Sequence, residues 1–392
     1  MTNFEVEVSE DVIKWARESA GMTVEEAAKK LKIDVGQLNE WEVGVGNPKL
    51  SKLQQMAELY KRPLAVLLLP MPPKRFDPMR NFRLLESNKH RSYSRPLTLA
   101  FRRVEMQRSV ARDLAELDNE TPQALAVRAR ISDDPEVVAE SVRAWLGAPP
   151  VESAEYQQRD ALQLWTSLIE DRDILVTQIQ NVPLEEMRGC SMSGEPYPAI
   201  ILNGKDARRG KVFTLLHELA HLTLDTGGVC DLAGLVPVPR SDAERVELFC
   251  NAVAAATLMP RASVLNLPEV AARPRSATGW SEETLTNLAR PFGVSAEAFL
   301  LRLVNLGRAS WDYYFQFRPQ FREAYAAVEQ KPKTTGGPSF YQMKLRDFGR
   351  RYTSSVIGAY RRREINGSDL ADYLEIKINH LPKLEETLGG RR

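Results

Sequence analysis

Two of the four histidines in this 392-residue chain fall within five positions, His217-Glu218-Leu219-Ala220-His221. On a helix, residues i and i+4 stand one above the other on one face, so both imidazoles would point the same way. Two neutral imidazoles so placed make half of a zinc site, and a glutamate between them can take a proton from water. The bland alternative is a helix that happens to carry two histidines. A catalytic zinc takes three protein ligands and keeps a fourth position open, so a third donor is required. Asp225 is four residues beyond His221, but donors at i, i+4 and i+8 spread over about 12 Å of helix axis and cannot converge on one ion. The third ligand must come from another element.

The elements that would position these groups are legible on either side. Lys211–Leu216 leads into the motif, Leu222–Asp225 leads out, and Gly227-Gly228 supplies a stop. Residues 241–260 read as a second helix, with Ser241 and Glu244 at capping-box spacing and Pro260 at the end. Its small face, Ala252 and Ala254–Ala256, would let two helices approach closely enough to share an ion. Within it Glu247 and Asn251 are i and i+4, so a ligand and a partner that orients it would share a face. Glu244 is the other candidate donor, one turn earlier and suited to the cap. Gln157–Glu170 reads as a helix, and Ile174–Ile179 and Ala199–Leu202 as short strands. A small sheet beside the zinc helix offers an edge to an extended substrate.

Phe213-Thr-Leu-Leu-His-Glu-Leu-Ala-His221 followed by Glu247-Leu-Phe-Cys-Asn-Ala-Val-Ala-Ala-Ala-Thr-Leu-Met-Pro260 resembles the ImmA/IrrE family of zinc metallopeptidases, as does the strand-like Pro198–Asn203. The resemblance covers roughly residues 150–310. It implies that His217, His221 and Glu247 hold Zn2+ (or another divalent ion), that Glu218 is the catalytic base, and that Asn251 orients a ligand. The implied reaction is peptide hydrolysis: the ion lowers the pKa of water toward about 7 and polarises the scissile carbonyl, while Glu218 moves the proton to the leaving amine.

Composition sets wider bounds. The length suffices for two or three domains. A net charge of +1 gives no general nucleic-acid or membrane signature, no apolar run reaches a membrane span, and the amino terminus lacks a signal peptide. Three cysteines, Cys190, Cys230 and Cys250, without a CxxC pair suit a reducing cytoplasm and small buried side chains.

Residues 8–69 carry five short helical patterns. Thr23 with Glu26 and then Asp34 supply caps, and Gly44–Pro48 breaks the chain before the fourth. Met22–Gly44 resembles an XRE/Cro-type helix-turn-helix, whose third helix would enter the major groove. The exposed positions of that helix are Val35, Gly36, Gln37, Asn39 and Glu40, of which Gln37 and Asn39 can read base edges. Residues 1–62 hold nine basic and eleven acidic side chains, and Glu40 and Glu42 would face or flank DNA unfavourably. A dimerisation or partner-docking module is the competing reading.

Met71–Arg103 is basic, with Lys74, Arg75, Arg80, Arg83, Lys89, Arg91, Arg95, Arg102 and Arg103 against Asp77 and Glu86. This could contact phosphate, but such runs more often solvate a linker or pack on their own protein. Leu97–Leu117, Pro122–Arg130 and Pro135–Leu146 read as helices of a spacer. Ser281–Ala289 and Ser295–Leu303 form a helix pair, an ordinary packing unit. After the aromatic run at Trp311–Phe317 and a polar stretch at 331–337, residues 331–392 carry thirteen basic and seven acidic side chains and end in a capped helix after Gly367. His90 and His380 read as surface residues.

The expected chain is therefore mostly α and multidomain: an all-α helix-turn-helix domain (1–70), a basic linker and helical spacer (71–150), an α+β zincin-like metallopeptidase domain (151–310) and a small basic helical tail (311–392). By resemblance its function is zinc-dependent cleavage of a helix-turn-helix repressor, which would derepress stress or mobile-element genes, with operator DNA as a further partner. The alternative is a DNA-binding regulator or antitoxin, paired with a toxin, whose metallopeptidase-like domain senses or binds. Self-cleavage in the 71–95 linker is a third possibility, and a homodimer would suit the helix-turn-helix.

Overall fold

The computed structural model describes residues 5–73, 93–225, 228–230, 239, 241–329 and 337–390. Lys74–Arg91 of the basic connector, His90 within it, Gly227 and residues 331–336 of the polar stretch lie outside the described residues, as does the Cys230 side chain. The described residues form two compact units, the first reaching Glu105 and the second running from Met106 onward.

The first unit contains α1 (Glu10–Ser19), α2 (Val24–Leu31), α3 (Val35–Glu42), α4 (Leu50–Tyr60) and α5 (Leu64–Leu67), matching the five expected patterns. Thr23 and Glu26 close a reciprocal capping box on α2, and the Asp34 carboxylate accepts from Gly36 N–H at 2.8 Å to start α3. Val12, Ile13, Leu31, Leu38, Leu53, Met56 and Tyr60 meet in the core. Glu42 departs from its expected place. It is buried and takes a bidentate ion pair from Arg17, both bonds 2.7 Å, so it does not present charge to a groove.

α6 (Arg95–Asp118) begins in this unit, and its arginines show what part of the basic connector does. Arg102, only 8% exposed, donates to the carbonyls of Ser19, Tyr60 and Lys61 at 3.0–3.3 Å, satisfying the ends of α1 and α4. Arg95 donates to Leu59 O at 2.7 Å. These two side chains pack on their own domain, and burial lowers the Arg102 pKa to about 9.

The second unit holds α7 (Pro135–Leu146), α8 (Ala154–Gln158), α9 (Ala161–Glu170), β1 (Leu175–Ile179), β2 (Gly189–Met192), β3 (Ala199–Asn203), α10 (Arg208–Thr223), β4 (Gly228–Cys230) and α11 (Asp242–Leu258). Beyond these come α12 (Arg261–Leu265), α13 (Pro268–Ala271), α14 (Glu282–Ala289), α15 (Ala296–Asn305), α16 (Trp311–Glu329), α17 (Phe340–Phe348), α18 (Arg350–Arg362), α19 (Gly367–Leu374) and α20 (Leu381–Gly389). The expected helix over Pro122–Arg130 does not form. Its backbone donors are spent on tertiary partners: Gln123 N–H on Asp173, Leu125 N–H on Glu195 and Ala129 N–H on Thr223 O. The Gln157–Glu170 helix is broken as well, because Asp160 turns extended and caps a new start at α9.

The sheet runs β1-β3-β2-β4, with β1 parallel to β3 and the other pairings antiparallel. Val176, Ile200 and Leu202 turn one face onto Leu215 and Leu219 of α10. Residues of the other face, Thr177, Cys190, Met192 and Ile201, are buried too. The tail reaches the sheet: α17 packs against β1, and Arg350 N–H at the start of α18 donates to the buried Glu170 carboxylate at 2.9 Å. Gly349 is tightly constrained there, since a Cβ would lie 2.6 Å from Glu170 Oε1 and 2.7 Å from Val176 O, at a φ of +79°. Among the described residues no helix is long and apolar enough to cross a membrane.

Candidate metal centre

α10 is buried almost all round, from Lys211 to Thr223 apart from Phe213, and its leucines at 215, 216, 219 and 222 fix it in the core. α11 lies beside it. The Ser241 hydroxyl accepts from Glu244 N–H at 3.2 Å, and Val253, Ala254 and Ala255 are essentially inaccessible. Small residues at this contact allow close approach, which brings Glu247 to the imidazoles of α10.

Three of the expected site residues converge. His217 Nε2 and His221 Nε2 are 3.1 Å apart, His217 Nε2 and Glu247 Oε2 are 3.2 Å apart, and His221 Nε2 and Glu247 Oε1 are 3.5 Å apart. Among the described residues this is the cluster able to hold a metal, with both histidines fully buried and Glu247 17% exposed. Tetrahedral bonds of about 2.0–2.1 Å separate neighbouring ligand atoms by about 3.3–3.4 Å, so these edges suit a zinc-sized ion. Two imidazole lone pairs aimed at each other across 3.1 Å also repel unless a cation or proton lies between them. The donor set therefore fits a divalent ion. Burial pushes the Glu247 carboxyl up, but hydrogen bonding to His217 and His221 outweighs it and holds the group below the usual carboxylate range.

Glu244 occupies the cap, and Asp225 is an exposed residue at positive φ that takes no part in the cluster. Glu218 is wholly buried on the same helix. A residue that sequence reading passed over sits against it. A Cβ on Gly189 would lie 2.8 Å from Glu218 Oε1 and 2.3 Å from Thr214 Cγ2, so β2 can run this close only with glycine. The signal was a glycine in a short Gly-Cys-Ser-Met run without the branched residues that mark a strand.

Asn251 makes no hydrogen bond to the three donors; its side chain lines a separate cavity, and His217 Nδ1 is buried without a hydrogen-bond partner among the described residues. Cys190 and Cys250 are buried free thiols, both pushed up by burial and by nearby glutamates. Gln37 and Asn39 are exposed on α3, beside Val35 and Glu40. His380 is half-buried, its Nδ1 3.0 Å from the Tyr341 hydroxyl.

Comparison with known families places two segments. Residues 172–304 match the IrrE N-terminal-like domain of the M78 peptidases, and residues 13–67 match a helix-turn-helix family. A search of curated proteins finds no match.

Proposed function

We propose that this chain, an XRE-type helix-turn-helix joined to an IrrE/ImmA-like metallopeptidase domain, is a zinc-dependent endopeptidase that cleaves a helix-turn-helix regulator in the cytoplasm. The observation that carries this reading is the convergence of His217, His221 and Glu247 with Glu218 between the two histidines on one helical turn. When bound, the ion would supply a Lewis acid for water and for the scissile carbonyl. Glu218 takes the proton of the attacking water as the C–O bond forms, then gives it to the departing amine as the C–N bond breaks. The buried setting of His217, His221 and Glu218 keeps bulk water from competing for that proton.

Substrate choice rests on docking, because one ion and one glutamate do not read sequence. The helix-turn-helix recruits the substrate regulator or operator DNA, with Gln37 and Asn39 as the exposed hydrogen-bonding groups of α3. Among the described residues β4 is an edge strand of the sheet, and its backbone groups would receive an extended substrate. A regulator or antitoxin that only binds would not require Glu218 beside a complete ligand set.

The test is metal content together with proteolysis of the helix-turn-helix repressor encoded nearest the gene, wild type against Glu218→Gln. About one metal per chain and cleavage lost only in the variant support the proposal. Metal without cleavage moves the reading to a binding regulator, and absence of metal from the purified and zinc-reconstituted chain overturns it.

A further inference from the structure

A cavity of about 360 Å³ opens on the flank of α11, bounded by the start of α7, by α15 and by the first residue of α16. It shares no residue with the candidate metal centre. Leu248, Ala252 and Leu301 give it apolar surface, and Trp311 adds an indole. Its charges cancel: Asp134 and Glu136 oppose Arg261 and Arg302. Arg302 is 2% exposed and committed, with a bidentate pair to Glu136 at 2.6 and 2.8 Å and a bond to Met259 O at 2.9 Å. Arg261 stands 3.7 Å from the same carboxylate. Two amides are uncommitted. Asn251 and Asn305 both line the cavity, and among the described residues their side-chain amides make no hydrogen bond.

These features select a ligand class. A lining without net charge disfavours ions. An aromatic side chain with a little aliphatic surface favours a flat ring. Side-chain amides offer a donor and an acceptor in one plane, which matches the edge of a heterocycle carrying both. The volume lies in the range of small-molecule sites, about 300–1,000 Å³. We infer that this cavity binds a neutral nucleobase-bearing small molecule, a nucleoside, with the base at Trp311 and its polar edge at Asn251 and Asn305. The site has a route to the metal centre, because Asn251 is one helical turn from Glu247 on α11. A bound nucleoside would brace that turn.

The experiment is titration calorimetry of the full zinc-loaded chain with adenosine, guanosine and uridine as separate probes. Saturable one-to-one binding of at least one probe is expected, weakened roughly tenfold or more by Asn251→Ala and by Asn305→Ala. Trp311→Leu keeps apolar bulk while removing the ring, and should weaken the same probe. Helix content and metal content of each variant, measured in parallel, separate loss of binding from loss of fold. No saturable heat with any probe up to millimolar concentration overturns the inference, as does binding that both asparagine variants leave intact. Neither result bears on the metal centre, whose ligands are other residues.

Discussion

On the proposed mechanism Glu218 faces two demands at one position: it exchanges a proton, and it fits under a strand. Glu218→Gln preserves shape and hydrogen-bonding reach but removes the base, so metal content should be unchanged while cleavage falls by about 10²–10⁴-fold. Glu247→Ala should instead release the metal, leaving two imidazoles and no third donor. Gly189 supplies a finer test. An added methyl must displace the Glu218 carboxylate or the Thr214 methyl, since neither the strand nor the buried helix has room to yield. Gly189→Ala should keep about one metal per chain and lose on the order of 10²-fold in turnover, the scale of a misplaced catalytic group. Atomic absorption beside a cleavage assay separates the two effects. A Gly189→Ala protein with full activity would show that Glu218 does not depend on this contact.

At the scale of elements, legibility followed local chemistry. α2, α3 and α11 announced themselves through Thr23, Asp34 and Ser241, whose side chains accept from backbone N–H groups two or three residues on. α10 was legible from the i,i+4 spacing of His217 and His221, which has meaning only on a helix. What failed was decided at a distance. Residues 122–130 have helical composition, but their backbone donors go to Asp173, Glu195 and Thr223, none of them a sequence neighbour. β2 carries no propensity signal and exists because β3 and β4 pair with it. Glu42 is expected to face or flank DNA because nothing local reveals its partner Arg17, 25 positions away. Spacing from Glu247 puts Asn251 on the ligand side of the helix, but spacing does not fix which neighbour a side chain meets, and Asn251 lines the cavity on the flank of α11. Arg102 gives a prediction at this level. It closes two helix ends at once, so Arg102→Ala should destabilise the helix-turn-helix unit by about 1–3 kcal/mol, read as a lower denaturant midpoint. An unchanged midpoint would mean that water satisfies those carbonyls equally well.

The second unit, the larger part of the molecule, is held to its tail by a carboxyl that is costly to ionise. Glu170 is buried at the end of α9, and burial, only partly offset by the N–H groups of Arg351 and Arg350, raises its pKa from 4.5 to about 8. Arg351 adds an ion pair to Asp173 at 3.0 Å, and α17 rests on β1. A carboxyl that is harder to ionise in the folded chain keeps its proton in the native state between its ordinary value and the raised one, while the unfolded chain has released it. Stability tied to Glu170 is therefore complete at the acid end of that interval, declines as pH rises through it, and levels off above about 8. Glu170→Gln keeps an oxygen to accept from Arg350 and cannot ionise. The melting temperature of the wild type, followed from pH 5 to pH 8.5, should fall relative to the variant, and the two curves should converge at the acid end. Parallel curves would mean that Glu170 ionises freely in the folded chain, and that the tail is held by Asp173 and the apolar contacts of α17 instead.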